Sequence, residues 1–320
     1  MFKKVFIVLS ITSILLRGNN YIDLYRENGI NKVKNLFDSL LKSEKYWNNY
    51  LKNYNTTFGY YEKEKYIVIS SKADKTMDIF QVKKGNVKKV FSSDVLLGKD
   101  GEKKKEGDLT TPIGAYKIVS KFKPQDNFYG PMAFALSYPN LYDKLHGKNG
   151  HGIWIHGYPT NNKARPDITK GCLVLKNKKL EKLGKIIKPK NTYVIIGEYK
   201  LKKVNKKDIA KILSFLYSWK DSWGKNDIKK YLSFYSKNFK RFDGKNFTLF
   251  SKMKKRIFAR KNKKSIIFKN ISIIPYPTIN GKKLFRVDFY EKYSAKNYIY
   301  NGNKQLYIEL VNSVKILAEK

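Results

Sequence analysis

Cys172 is the single cysteine of a 320-residue chain, and it stands in the block Thr169-Lys170-Gly171-Cys172 followed by the apolar run Leu173-Val174-Leu175. A histidine followed by glycine, His156-Gly157, lies upstream across a polar loop of about a dozen residues. A thiol is a weak nucleophile until it loses its proton, and a nearby imidazole either takes that proton or holds the thiolate as an ion pair. Glycine before the nucleophile leaves room for close approach of a substrate and tolerates backbone angles that other residues resist. Amide N–H groups around Cys172 are candidates to face the oxyanion formed when a carbonyl is attacked. On spacing alone, a buried cysteine beside a strand histidine explains the pattern equally well.

One cysteine excludes an internal disulfide framework, and three histidines leave little scope for a metal cluster. The expected chemistry therefore uses no metal and no organic cofactor. His151, five residues before His156, is a candidate to touch substrate, with a satisfied structural histidine as the commoner alternative. Trp154, on the same short segment, has core packing as its default role. A second block, residues 101–116, is rich in turn-forming residues and enters a strand.

Positioning these groups requires a scaffold, and the apolar periodicity supplies one. Ile30, Val33, Phe37, Leu40 and Leu41, then Tyr46, Trp47, Tyr50 and Leu51, follow helical spacing. Two such short helices cannot bury their apolar faces alone, so they are expected to pack on the next domain or on a second copy. From Tyr66 the period becomes strand-like. Residues 66–70 and 77–82 flank a polar turn, and residues 87–97, 114–120, 132–137, 152–155 and 193–196 add further strands. Residues 58–199 thus read as a mainly β catalytic domain, with residues 200–207 as a basic junction. Beyond the junction, Ile209, Ile212, Leu213, Leu216, Tyr217 and Trp223 mark an amphipathic helix, and Asn226 or Asp227 caps a second. Strands are expected at 265–274, 284–293 and 305–314, with turns at Asn280-Gly281 and Asn301-Gly302. Helices followed by an antiparallel sheet predict a cone-shaped α+β domain over residues 205–320. Its aromatics, among them Trp219, Trp223, Tyr235, Phe289 and Tyr290, are expected to fill that cone rather than line a ligand pocket.

At the N-terminus, Lys3 and Lys4 precede an apolar run over residues 5–16 that polar residues then break. That is the pattern of an export signal over residues 1–18, and the run is shorter than the ~20 apolar residues of a spanning helix. Contact with the inner membrane is expected only if the signal stays attached. The chain carries 67 Lys+Arg against 26 Asp+Glu, a formal charge of +41. Such a field favours anionic partners. Lysine and asparagine nevertheless crowd the whole sequence, including loops expected at 176–179 and 188–191, so a compositional habit explains the charge as well. No zinc-finger spacing, phosphate loop or RNA-binding aromatic signature accompanies it, and nucleic acid is not an expected partner.

Together the two blocks resemble the YkuD-type L,D-transpeptidase family. That family places His-Gly some dozen residues before Ser/Thr-x-Gly-Cys and carries an upstream Gly-Asp-x-x-Thr-Pro-x-Gly-x-Tyr segment, here residues 107–116. The resemblance covers roughly 140 residues. It implies that Cys172 is the nucleophile and His156 the general base. Gly157 would orient the imidazole through its carbonyl, and Thr169, Lys170 and Gly171 would shape the substrate and oxyanion pocket. Two positions depart from the common pattern: Val174 stands where many transpeptidases have arginine, and Lys170 where His or Arg is frequent. The wider order of segments is similar to the cell-shape-determining L,D-carboxypeptidases of helical and curved bacteria. It implies a C-terminal domain like nuclear transport factor 2, dimerisation through residues 19–57, and a periplasmic location. The implied activity is removal of terminal D-alanine from peptidoglycan tetrapeptide stems, with cross-linking by L,D-transpeptidation as the first alternative. A non-enzymatic wall-binding protein is the second.

Overall fold

Strand periodicity from Tyr66 onward builds the larger of two sheets. The computed structural model describes residues 3–161, 164–311 and 313–320, with only the backbone of residues 3–19, so the export-signal reading of residues 1–18 lies outside the described side chains. The chain begins with α1 (Lys3–Leu41), which breaks at Gly29, where φ is +74°. The short α2 (Glu44–Tyr50) follows, its N-cap Ser43 accepting from the Tyr46 N–H. Among the described residues no helix is long and apolar enough to cross a membrane.

Next come β1 (Tyr60–Tyr61), β2 (Lys65–Ser71), β3 (Thr76–Lys83), β4 (Asn86–Asp94), β5 (Gly114–Phe122) and β6 (Ala133–Leu136). They are followed by α3 (Leu141–Leu145), β7 (Trp154–His156), β8 (Leu173–Val174), α4 (Asn177–Ile186) and β9 (Thr192–Gly197). Strands β2 to β9 form one eight-stranded sheet in the order β4-β3-β2-β9-β5-β6-β7-β8. The expected β2–β3 hairpin is present, with Tyr66 opposite Gln81 and Ser70 opposite Met77.

β9 does not close the sheet at an edge. It enters the middle, parallel to β2 and antiparallel to β5. All six of its residues are buried because both faces are covered. Val194 and Ile196 join a core with Val68, Tyr116, Leu180 and Leu183, while Tyr193 and Ile195 pack against Ile274, Leu284 and Tyr307 of the second sheet. The segment expected as a lysine-rich loop at 176–179 instead starts α4. Its buried Leu180 and Leu183 recur at a three-residue step, and its lysines point to water, so charge density masked a helix.

The C-terminal part comprises α5 (Lys206–Gly224), α6 (Ile228–Ser233), β10 (Tyr235–Arg241), α7 (Phe247–Ala259), β11 (Ser265–Tyr276), β12 (Leu284–Ala295), β13 (Tyr298–Leu310) and β14 (Val314–Glu319). These strands, joined by β1, form a six-stranded sheet in the order β1-β11-β12-β13-β14-β10. Trp219, Trp223, Tyr235 and Phe289 are buried in its core, as expected of cone packing, and Tyr290 is half-buried. The expected cap at Asp227 is present, its side chain accepting from the Lys230 N–H.

Two local expectations fail here. Asn301-Gly302 is not a turn, since it pairs within the ladder opposite Lys292 and Glu291. The chain reverses one step earlier, between the paired Ala295 and Tyr298. That register keeps Phe285 opposite Ile308 and Val287 opposite Leu306 on the buried face, and a slip would turn them outward. The strand expected over 305–314 is likewise two strands, because β13 ends at Leu310 and β14 begins at Val314. The N-terminal helices pack forward past the catalytic sheet: Trp47 of α2 stacks on Tyr217 of α5 at 5.6 Å and donates from Nε1 to the Leu41 carbonyl at 2.7 Å.

Candidate active site

β7 and β8 run parallel, with Ile155 opposite Leu173 and His156 opposite Val174. Alternation along the strands therefore puts Trp154, His156 and Cys172 on one face of the sheet and Ile155 and Leu173 on the other. Ile155 and Leu173 enter the apolar core, which anchors the pair of strands. Cys172, the residue before β8, thereby comes across from Trp154, two positions along from His156 on the same face.

His156 is 1% exposed, and its Nδ1 lies 2.9 Å from the Gly157 carbonyl oxygen. A carbonyl can only accept, so Nδ1 carries the proton and Nε2 is left as the basic nitrogen. The edge of Tyr129 meets the imidazole, with ring centroids 5.0 Å apart. Burial pushes the His156 pKa down to about 4, against the opposing hydrogen bond to Gly157, and the Arg165 charge adds to the depression. Gly157 is itself a forced glycine: a Cβ there would stand 2.2 Å from Asn177 Oδ1.

Cys172 is 9% exposed, and its Sγ donates to the Gly152 carbonyl at 3.4 Å. Burial raises its pKa above the ordinary 9.0, partly offset by the Trp154 backbone N–H and by the charges of Arg165 and Lys103. Burial thus acts against the charged form of both the thiol and the imidazole. Of the two states left open by the sequence, proton transfer during attack is favoured over a standing ion pair.

Thr169 shapes the turn before Cys172. Its hydroxyl donates to the Cys172 carbonyl at 2.8 Å and accepts from the Gly171 N–H at 3.0 Å, while its own N–H donates to Leu97. The Gly171 N–H is thereby occupied and is not an oxyanion donor. Gly171 adopts φ +112°, and a Cβ would meet the Thr110 carbonyl oxygen at 2.8 Å. Gly171→Ala is accordingly expected to lower stability by about 2 kcal/mol and to slow alkylation of Cys172 by a neutral reagent. An unchanged unfolding midpoint would show that the turn relaxes without strain.

The upstream block supports this turn from beneath. Thr111 Oγ1 accepts from the Gly98 N–H at 2.8 Å, and Lys99 bridges to Thr110. Asp108 accepts from the N–H groups of Lys104, Lys105 and Thr110 and from Lys103 Nζ at 2.6 Å. Although burial works against it, these donors hold the Asp108 carboxyl well below the usual range. The conformational demand falls on Leu109, at φ +61°.

The remaining sequence candidates lie around this centre. Lys170 is exposed. The His151 side chain is 80% exposed and faces Glu106 at 3.3 Å, so it is not a buried structural histidine. Trp154 is half-buried and forms edge contacts with Phe122 and Tyr129 at 5.0 and 5.1 Å, an aromatic wall beside the thiol rather than part of the apolar core. Val174 is fully buried. Residues that motif reading passed over are Tyr129, Lys103, Asp108 and Arg165. Only Asp108 had a visible signal, lying inside the Gly-Asp-x-x-Thr-Pro segment. Among the described residues no cluster of His, Cys, Asp and Glu could hold a metal ion.

The model of the YkuD L,D-transpeptidase catalytic domain matches residues 64–196, and that of the Cds6 C-terminal NTF2-like domain matches residues 211–320. The chain is similar to the crystal structure of the helical cell shape determining protein Pgp2 from Campylobacter jejuni, with 40% identity and a TM-score of 0.83, covering 87% of this chain and 99% of that one. Bd1075 from Bdellovibrio bacteriovorus is 25% identical with a TM-score of 0.67, over 83% of this chain and 96% of that one. YafK of Escherichia coli strain K12, a protein classed with the L,D-transpeptidases, is 27% identical over 120 residues, which are 36% of this chain. The match spans 44% of the length of that curated relative.

Proposed function

The chain belongs to the YkuD L,D-transpeptidase family and carries an NTF2-like C-terminal domain, and from that premise we propose that it is a peptidoglycan L,D-carboxypeptidase. It removes terminal D-alanine from tetrapeptide stems and leaves tripeptides. The observation that carries this reading is the pairing of β7 with β8, which sets His156, its Nδ1–H donated to the Gly157 carbonyl, on the face that bears Cys172.

In the proposed reaction Cys172 Sγ attacks the carbonyl at the L-centre of meso-diaminopimelate as His156 Nε2 takes the thiol proton. A C–S bond forms, and the C–N bond to D-alanine then breaks. The imidazolium returns the proton to the departing amine. Water attacks the thioester, His156 accepts its proton, and the tripeptide carboxylate and the thiol are released. Thr169 positions the nucleophile turn, and Trp154 and Tyr129 wall the site. Val174, apolar and buried where many relatives have arginine, weights the second half-reaction towards water rather than a second stem's amine.

Substrate and place agree with this reading. A chain acting on peptidoglycan works outside the inner membrane, consistent with export through residues 1–18. α1 leaves Tyr21, Ile22, Tyr25, Ile30 and Phe37 exposed, which supports pairing with a second copy through residues 19–57. Such cell-wall trimming fits the similarity to a cell-shape determinant.

Incubating the purified protein with disaccharide tetrapeptide and resolving the products tests the proposal. Free D-alanine and disaccharide tripeptide are the expected products. Cross-linked dimers without tripeptide would assign transpeptidation instead, and binding to sacculi with no product would assign a wall-binding role.

A further inference from the structure

The loop between β7 and β8 carries a cation that the catalytic pair does not account for. Arg165 lies with its guanidinium carbon 4.8 Å from the centroid of the Phe128 ring and 5.9 Å from that of Tyr158. Its Nε and Nη1 are shut off from water and hydrogen-bond to nothing among the described residues. A guanidinium with buried, unused donors is costly to a folded protein unless a function retains it.

Its surroundings indicate what that function is. The Phe128 ring that holds Arg165 meets Tyr129 edge-on at 5.4 Å, and Tyr129 meets the His156 imidazole at 5.0 Å, so a chain of ring contacts joins the guanidinium to His156, and its charge acts on both His156 and Cys172. The other cation acting on the thiol, Lys103, is committed to Asp108 and to the Lys105 carbonyl. No carboxylate is paired with Arg165 among the described residues. It is held by ring faces, so turning its fork towards an anion breaks no hydrogen bond at Nε or Nη1. Two residues after the nucleophile, where many transpeptidases of the family carry arginine, stands Val174, so the loop supplies the positive charge that β8 lacks.

We propose that Arg165 binds the terminal carboxylate of the substrate's last residue and so restricts the site to chain-terminal peptide bonds. This rests on the carboxypeptidase reading above and deepens it. In the leaving D-alanine the carboxylate lies only a few bonds from the scissile carbonyl carbon, on the side opposite the acyl-enzyme. A planar fork suits a carboxylate bidentately, and a site built around such a pair discriminates strongly against ligands that lack the charge.

The test compares two tetrapeptides, one ending in D-alanine and one in D-alaninamide, with wild-type protein, Arg165→Gln and Arg165→Met. Wild type is expected to favour the free acid by about 100-fold in kcat/KM. Both variants should lose most of that preference, because the reaction with the acid slows far more than the reaction with the amide. Equal slowing of both substrates, or an unchanged preference, would overturn the proposal, because a structural role or a role in tuning the thiol acts on both alike. Alkylation of Cys172 by iodoacetate relative to iodoacetamide gives a second readout that needs no turnover. The ratio should fall about tenfold in the variants. If wild type releases no amine from either peptide, the carboxypeptidase reading fails, and an unchanged alkylation ratio would then remove Arg165 as a carboxylate reader as well.

Discussion

Cys172→Ala is expected to lower D-alanine release from tetrapeptide stems by at least about 10⁴-fold while leaving the unfolding midpoint nearly unchanged. The thiol makes only weak hydrogen bonds, to the Gly152 carbonyl and from the Trp154 N–H, and its loss leaves no charged group unpaired. His156→Gln should be comparably inactive, and the double variant no worse than either single one, because the two residues act as one unit. Full trimming by Cys172→Ala would refute the mechanism.

The wild-type pH profile is part of the same expectation. Since burial pushes His156 down to about 4, kcat/KM should stay level from neutral pH to about 5 and fall only below that. An acid limb centred near 6.5 would show that the imidazole is solvated in the working enzyme. Stability follows with the opposite partner in control. As pH falls through 6.5 the histidine of the unfolded chain binds its proton first, so the native state loses stability from there downward until His156 itself titrates near 4. Because burial also raises the Cys172 pKa, alkylation by iodoacetamide should be slow at pH 7 and accelerate above the ordinary thiol value.

The largest expected effect on stability lies away from the thiol, between the two sheets. Arg286 and Asp288 are buried neighbours on β12. Arg286 Nε and Nη2 donate to Asp288 at 3.0 to 3.2 Å, and Nη1 reaches across to the Ala115 carbonyl of β5 at 3.1 Å. Asp288 also receives the Tyr193 hydroxyl at 2.9 Å, Lys117 Nζ at 2.7 Å and Gln305 Nε2 at 3.0 Å. Burial opposes the charge, yet Arg286 and Lys117 hold the Asp288 carboxyl far below its usual range. Arg286→Met removes the main counter-charge and leaves a buried carboxylate under-compensated, a change of about 3 kcal/mol. The urea midpoint should fall accordingly, and Arg286→Met with Asp288→Leu should recover most of the loss. A single variant as stable as wild type would mean that Lys117, Tyr193 and Gln305 suffice. Because Ala115 belongs to the same block as Thr110 and Thr111, which support the turn at Gly171, partial loss of activity is expected to accompany the loss of stability.

Much of the site was legible in the residues themselves. The order His-Gly, then Thr-x-Gly-Cys, marked the candidate pair because its geometry is local: a tautomer set by the next carbonyl, and a turn that only glycine fits. The amphipathic helix α5, the Asp227 cap of α6 and the hairpin β2–β3 were equally legible, since their signals lie within a few residues of each other. What failed was long-range or masked. Asn301-Gly302 has the composition of a turn, but the apolar register of β12 and β13 overrides it. α4 was hidden under its lysines, and β1 left its neighbours to join the distant β11. Arg165 has no motif, and only folding of the loop brings its charge to Cys172 and His156. Residue type and spacing determine which groups are candidates to attack and to take the proton. The charges and walls around that pair come from segments far apart in the chain, and tertiary packing alone decides that they meet.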